Sequence, residues 1–206
     1  MPYRLLSPLP DTASPAQILA QEQHWLRDCA HDGQPRAHLW HVRDSGGTAV
    51  PHGAGILNLS LLLPRTTTDL AHYYRLLGAP LLTLLAEYGL AGSYDFVPGS
   101  FCDGQYNLVI GGRKITGTAQ RWLAPGQDHQ GAVLAQAMLL VAGDVDEGTR
   151  MASRFYELAG GELRFMTGTS TTLASCIDWR GGDEALVNKV RARMATLLSQ
   201  EVAHHL

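Results

Sequence analysis

The chain is predicted to be an α+β protein, with a mainly antiparallel mixed sheet flanked by helices. Three observations predict this. Strand-like and helix-like stretches are mixed irregularly and do not alternate as strict βαβ units. A hairpin sits mid-chain in SFCDGQYNLVIGGRKITGTAQRW, Ser100 to Trp122, where Tyr106, Leu108 and Ile110 alternate and Gly111-Gly112 turns the chain towards Ile115. The run ILNLSLLL, Ile56 to Leu63, is apolar enough for a strand covered on both faces.

Taken in order, Ser14-Pro15 starts a first helix, serine as N-cap and proline in the first turn. Ile18, Leu19, Trp25, Leu26 and Cys29 give it one apolar face, and Gly33 and Pro35 end it. AHLWHV, Ala37 to Val42, reads as a strand, and RDSGGTAVPHGAG as turns. A helical stretch from about Asp69 to Tyr88 contains Pro80, which is expected to kink or split it because proline has no N–H to donate. After the hairpin, GAVLAQAMLLVAG (Gly131 to Gly143) reads as a strand and Asp146 to Leu158 as a helix. TGTSTTLASCIDW suggests a loop and a short helix. Asp183 caps a final helix at about 183–203, with Leu186, Val187, Val190, Met194, Leu197 and Leu198 on its buried stripe. There is no internal repeat, so residues 1–206 are read as one domain.

Composition narrows the function. An apolar fraction of 45% is ordinary for a globular chain, and a net charge of −3 without runs of one sign argues against a nucleic-acid or polybasic membrane surface. MPYRLLSPLP lacks the long apolar stretch of a signal peptide, and no run reaches the roughly 18 apolar residues of a membrane helix. Cys29, Cys102 and Cys176 are three and widely spaced, a poor disulfide framework that points to a reducing cytoplasm. The histidines are scattered without zincin or zinc-finger spacing, so no metal is expected.

Three clusters carry possible chemistry. Arg43-Asp44-Ser45-Gly46-Gly47-Thr48-Ala49-Val50 combines paired glycines, which expose backbone N–H groups, with an arginine able to hold a carboxylate or phosphate; it reads equally well as a plain turn. The hairpin carries a thiol, Cys102, and an amine, Lys114. An ammonium favours a neighbouring thiolate and stabilises negative charge on an acyl oxygen. The alternative is a small buried cysteine and a solvated turn lysine. Asp128-His129-Gln130-Gly131 offers a general base or simply an exposed histidine.

The same segments resemble a known superfamily. RDSGGTAVPHGAGILNLSLLLP is similar to the RRxGGGxxxHxxGxLNxS segment of the lipoate–protein ligase, octanoyltransferase and biotin ligase superfamily. GRKITGTAQRW resembles its second signature, a lysine after a strand turn followed by small residues. The resemblance covers about Ala37 to Cys176. Within it, SFCDGQYNLVIGGRK is similar to the SYCPGEYDL…GKKFAG pattern of cysteine-dependent octanoyl-transferring amidotransferases, whereas ATP-using lipoate ligases usually show Arg-Asn-Asp there and need no cysteine.

The resemblance implies a biotin/lipoate ligase-like catalytic domain. It implies that Cys102 takes an octanoyl or lipoyl group as a thioester, that Lys114 holds the acyl carbonyl, and that a lysine of a partner protein then attacks. Arg43, Ser45, Gly46, Gly47, Ala49 and Asn58 would form the ligand pocket with Gly131, and Gly117 and Ala119 the acyl tunnel. The implied acceptors are lipoyl-domain or glycine-cleavage H-type proteins, with acyl carrier protein as a further candidate. No cofactor is implied beyond the transferred octanoate or lipoate; ATP enters only in the alternative of an ATP-dependent lipoate–protein ligase. A third reading is a catalytically weak protein that binds an acyl chain or a lipoyl domain. One departure stands out: HLWH meets VRDSGG almost directly, where family members carry some tens of residues.

Overall fold

The computed structural model describes residues 3–6, 13–40, 50–51 and 53–200, without the side chains of Pro15, Leu19 and Trp40. Helix α1 (Pro15–Asp32) is fixed at both ends by its sequence. Ser14 Oγ accepts from the Gln17 N–H while the Gln17 side chain accepts from the Ser14 N–H, a reciprocal capping box. Gly33 closes the helix at φ 66°, the left-handed conformation glycine adopts without a steric penalty.

Seven strands form one sheet: β1 (Arg4–Leu5), β2 (Arg36–Trp40), β3 (Ile56–Pro64), β4 (Ser93–Asp95), β5 (Asn107–Ile110), β6 (Arg113–Leu123) and β7 (Ala132–Leu140). Their spatial order is β1-β2-β3-β7-β6-β5-β4, and every pairing is antiparallel except β1 with β2. The α+β class and the mainly antiparallel sheet are thus as the sequence predicts.

Period-two alternation gives the sheet two different faces. Leu57, Leu59, Leu61 and Leu63 of β3 and Val133, Ala135, Ala137 and Leu139 of β7 share one cluster with α2 (Leu70–Glu87) and α5 (Asp183–Gln200). The other face packs Leu62 and Leu134 against Leu26, Cys29 and Ala30 of α1. The remaining helices are α3 (Val145–Leu158) and the short α4 (Leu173–Cys176).

Two features differ from the sequence reading. Helix α2 runs unbroken through Pro80, because Leu77, Leu81, Leu84 and Leu85 are buried on either side of it and packing holds the helix across the missing hydrogen bond. The edge strands β1 and β4 are also present; with two and three residues they are too short to show an alternation in sequence. No helix among the described residues is long and apolar enough to cross a membrane.

Candidate active site

Strands β5 and β6 form the expected hairpin. Ile110 pairs with Arg113 across Gly111 and Gly112, which sit at φ 55° and 74°. Two consecutive positive φ values are what a type I′ turn requires, and glycine meets both.

What puts Lys114 in the site is a bulge. Val109 pairs with Lys114, but Leu108 pairs with Thr116, so Ile115 is an extra residue in β6. In a regular strand Lys114 and Gly117, three apart, would face opposite ways. Here Ile115 joins the α2/α5 core while the Lys114 side chain turns to the other face and lies over Gly117: a Cβ built on Gly117 would stand 3.7 Å from both Cε and Nζ of Lys114. The segment 169–171 replaces β7 beside the lysine, with Lys114 N–H donating to Thr169 O (2.9 Å) and Thr171 N–H to Lys114 O (2.8 Å).

Lys114 is completely buried. Its ammonium donates to the backbone carbonyl of Phe101 and, at 3.3 Å, to that of Cys102, and it lies 4.3 Å from the centre of the Phe101 ring. The lysine thus reaches the thiol-bearing loop, twelve positions earlier in the chain, through main-chain oxygens. Burial lowers its pKa from 10.5 to about 8, opposed by electrostatic attraction towards Cys102 and Asp103. Cys102 is half-buried, packs beside Ile56, Phe101, Met138 and Leu140, and holds φ at 47°, uncommon for a residue with a side chain.

Below the lysine the sheet forms rows. Asn58 pairs with Met138, and Met138 with Gly117; one row further, Ser60 pairs with Gln136, and Gln136 with Ala119. Asn58 is buried, and neither amide atom has a partner among the described residues. Beyond Phe101, a cavity of about 290 Å³ opens between Pro51, Gly53, Gly55 and the start of α3 at Val145 and Gly148.

The structure therefore brings together Cys102, Lys114, Asn58 and Gly117, with Ala119 in the next row. Gly131 lies elsewhere: it precedes β7 at the end opposite Met138, roughly 20 Å of strand away, and its φ of 83° and its carbonyl bond to the Arg65 N–H serve the turn into β7. His129 sits in that turn, its Nδ1 accepting from the Gly131 N–H. Arg43, Ser45, Gly46, Gly47 and Ala49 lie outside the described residues. No cluster of three or more potential metal ligands occurs among the described residues.

Glu22 was not singled out from sequence. Its carboxylate, 1% exposed, accepts from Ser60 Oγ (2.6 Å) and Gln136 Nε2 (3.0 Å) under the Ala119 row. The available signal was its place on the apolar stripe of α1, four residues after Ile18 and four before Leu26.

The fold matches a bipartite lipoate protein ligase of Thermoplasma acidophilum with a TM-score of 0.64 (19% identity, 97% of this chain and 83% of that one). It matches a lipoate-protein ligase A bound with ATP with a TM-score of 0.69 (18% identity, 97% and 85%). The chain belongs to the lipoyl protein ligase A/B catalytic domain family, whose profile matches residues 21–161.

Among curated proteins it is 40% identical over 162 residues to an octanoyl-[GcvH]:protein N-octanoyltransferase of Kyrpidia tusciae, covering 76% of this chain and 55% of that protein. It is 31% identical over 121 residues to a lipoyl-[GcvH]:protein N-lipoyltransferase of Listeria monocytogenes, covering 58% and 41%. The chain spans about half the length of the curated relatives it matches.

Proposed function

We propose that the chain transfers an octanoyl or lipoyl group to a protein lysine through a thioester on Cys102. The observation that carries this reading is the buried ammonium of Lys114 on the carbonyls of Phe101 and Cys102. Burying a charged lysine is costly, and groups held at such a cost cluster at functional sites.

The Cys102 thiolate attacks the carbonyl of the acylated donor. The S–C bond forms, and the bond from that carbonyl to the donor's leaving atom breaks, the leaving atom taking up a proton. The amine of the acceptor lysine then attacks the thioester, its C–N bond forms, the C–S bond breaks, and the amine proton leaves. An ammonium has three N–H donors, and two are committed to main-chain carbonyls, so the third serves the acyl oxygen as it gains charge. Gly117 leaves room beside Lys114 for the carbonyl end, and Asn58 supplies buried polar atoms across from it. A chain directed from Lys114 across Gly117 reaches the Ala119 row. The relatives' names pair the acyl group with GcvH, and a protein of that class, carrying or accepting the group on a lysine, is the proposed partner.

Intact mass after incubation with an octanoylated donor protein tests this. The protein should gain one octanoyl group, removable by neutral hydroxylamine, and Cys102→Ser should gain none. Equal transfer by wild type and Cys102→Ser would replace this reading with an ATP-dependent ligase, recognisable by pyrophosphate release on adding ATP and lipoate.

A further inference from the structure

The loop that carries Cys102 is held by Lys114 and, among further bonds, by Asp103. A single carboxylate oxygen, Oδ1, accepts three hydrogen bonds: from the Val97 N–H (3.0 Å), from the Gly104 N–H (2.9 Å) and from Asn107 Nδ2 (3.2 Å). These donors lie before the cysteine, two residues after it, and at the first residue of β5. One oxygen thus ties the loop's entry to its exit and to the sheet.

Asn107 is fully buried, and its side chain has no other partner among the described residues, its Oδ1 being unpaired. Cys102, enclosed by this closure, holds φ at 47°. A residue with a side chain stays in that region only where its surroundings over-determine it. Lys114 pulls on the carbonyls of residues 101 and 102 from one side, and Asp103 gathers N–H groups from the other. The amidotransferase motif given above carries proline at this position, which has no side-chain acceptor.

We propose that Asp103 is a positioning residue: its carboxylate closes the 97–107 loop and thereby sets the thiol of Cys102 against Lys114. It touches neither acyl group nor reacting sulfur and acts through the backbone of Cys102. The inference rests on the acyl-transfer reading for its consequence in catalysis, and on the loop geometry alone for its effect on the thiol.

Geometry and charge make opposite predictions, which makes the proposal testable. Asp103 and Lys114 are charged groups near Cys102, and Asp103 and Cys102 both act on the Lys114 ammonium. Removing a negative charge beside a thiol favours its reactive form, so by charge alone Asp103→Ala and Asp103→Asn would both speed alkylation. Loss of positioning does the reverse. Asparagine keeps an oxygen that accepts the same three bonds; alanine does not.

The experiment is iodoacetamide labelling of Cys102 across roughly pH 6 to 9, with Cys29 and Cys176 replaced by serine, beside thermal unfolding of each variant. Asp103→Ala should slow labelling by about tenfold, and Asp103→Asn should restore the rate to within about threefold of the parent. Faster labelling in both variants overturns the proposal in favour of a charge effect. Equal slowing in both overturns it as well, as does slowing in alanine that only tracks the unfolded fraction. Labelling needs no acyl donor: a protein that forms no octanoyl thioester yet shows the expected alanine–asparagine contrast refutes the transferase reading and leaves the role of Asp103 standing.

Discussion

The two faces of the sheet are built from the same strands, but the one that packs Leu62 and Leu134 against α1 also buries a group of polar side chains. On β3 the leucines at 57, 59, 61 and 63 face α2 and α5, while Asn58 and Ser60 between them face α1 and the site. On β7 the pattern repeats, with Gln136 and Met138 on the site side of a row of small and branched apolar residues. The apolar face needs only volume and shape to be stable. The polar face carries Glu22, Ser60, Gln136, Asn58 and Lys114, all buried, and each must find a partner or serve a ligand. Strand alternation lets one set of backbone hydrogen bonds support both tasks, so the two faces should respond differently to mutation.

The largest expected contrast is at the thiol. Cys102→Ser should lower acyl transfer at least about a thousandfold, because a serine hydroxyl without a dedicated base is a far weaker nucleophile than a thiolate beside a cation. Cys29→Ser and Cys176→Ser should leave transfer intact. Burial pushes the Cys29 thiol up to about 11, and Cys176 is engaged with Thr171 Oγ1 at 3.6 Å. Hydroxylamine-sensitive mass gain in each single variant checks this, and retention of the adduct in Cys102→Ser would move the nucleophile elsewhere.

Adjacent residues on β3 sharpen the difference between the faces. Leu59→Ala opens a cavity in the α2/α5 core and should cost about 3 kcal/mol in denaturant unfolding, with Cys102 labelling unchanged in the folded fraction. Asn58→Ala removes a buried amide with no protein partner among the described residues, so it should cost less than about 1 kcal/mol while lowering transfer. Comparable stability losses from the two would show that Asn58 is a structural residue.

How much of this was legible differs between the faces in the same way. The apolar face follows from periodicity: ILNLSLLL, the α5 stripe and the caps of α1 all stand close to where the residues place them. The hairpin was legible too, because two glycines admit the turn it needs. The bulge at Ile115 was not, since no local residue requires it; it arises where segment 169–171 takes over from β7, a contact between residues more than fifty apart. Family resemblance singled out Lys114 and Cys102 as candidates, but not that the lysine reaches the cysteine's loop through backbone carbonyls. Glu22 and Asp103 were passed over because a carboxylate in sequence looks solvated until its donors, which come from distant strands or from loop backbone, are in place.

Titration tests the polar face as a whole. Below about pH 8 both folded and unfolded chains keep the Lys114 proton, so the cost of burying the charge weighs fully on the fold. Between about pH 8 and 10.5 the folded chain has lost the proton and the unfolded chain still binds it, so stability rises with pH, by up to about 3 kcal/mol from this group. Acyl transfer should fall over the onset of the same window as the ammonium is lost. Urea unfolding at roughly pH 7.5 and 10 should show the rise in wild type relative to Lys114→Met. A parallel pH dependence in the two proteins would mean that the folded and unfolded chains bind the Lys114 proton alike, so that burial does not lower its pKa.

The smallest expected effect is the most local. Gly117→Ala adds one methyl group to the floor of the site, at 3.7 Å from Lys114 Cε and Nζ and 4.0 Å from Met138 Cε, ordinary contact distances that displace nothing. Stability should therefore stay within about 0.5 kcal/mol of wild type. The methyl nevertheless occupies the space through which an acyl carbonyl would approach the ammonium, so octanoyl transfer should fall roughly threefold to tenfold. Labelling of Cys102 by iodoacetamide, a far smaller reagent, should not change. An unchanged transfer rate would mean that the acyl chain does not cross Gly117, and would redirect it to the cavity beyond Phe101, between Gly53, Gly55 and Gly148.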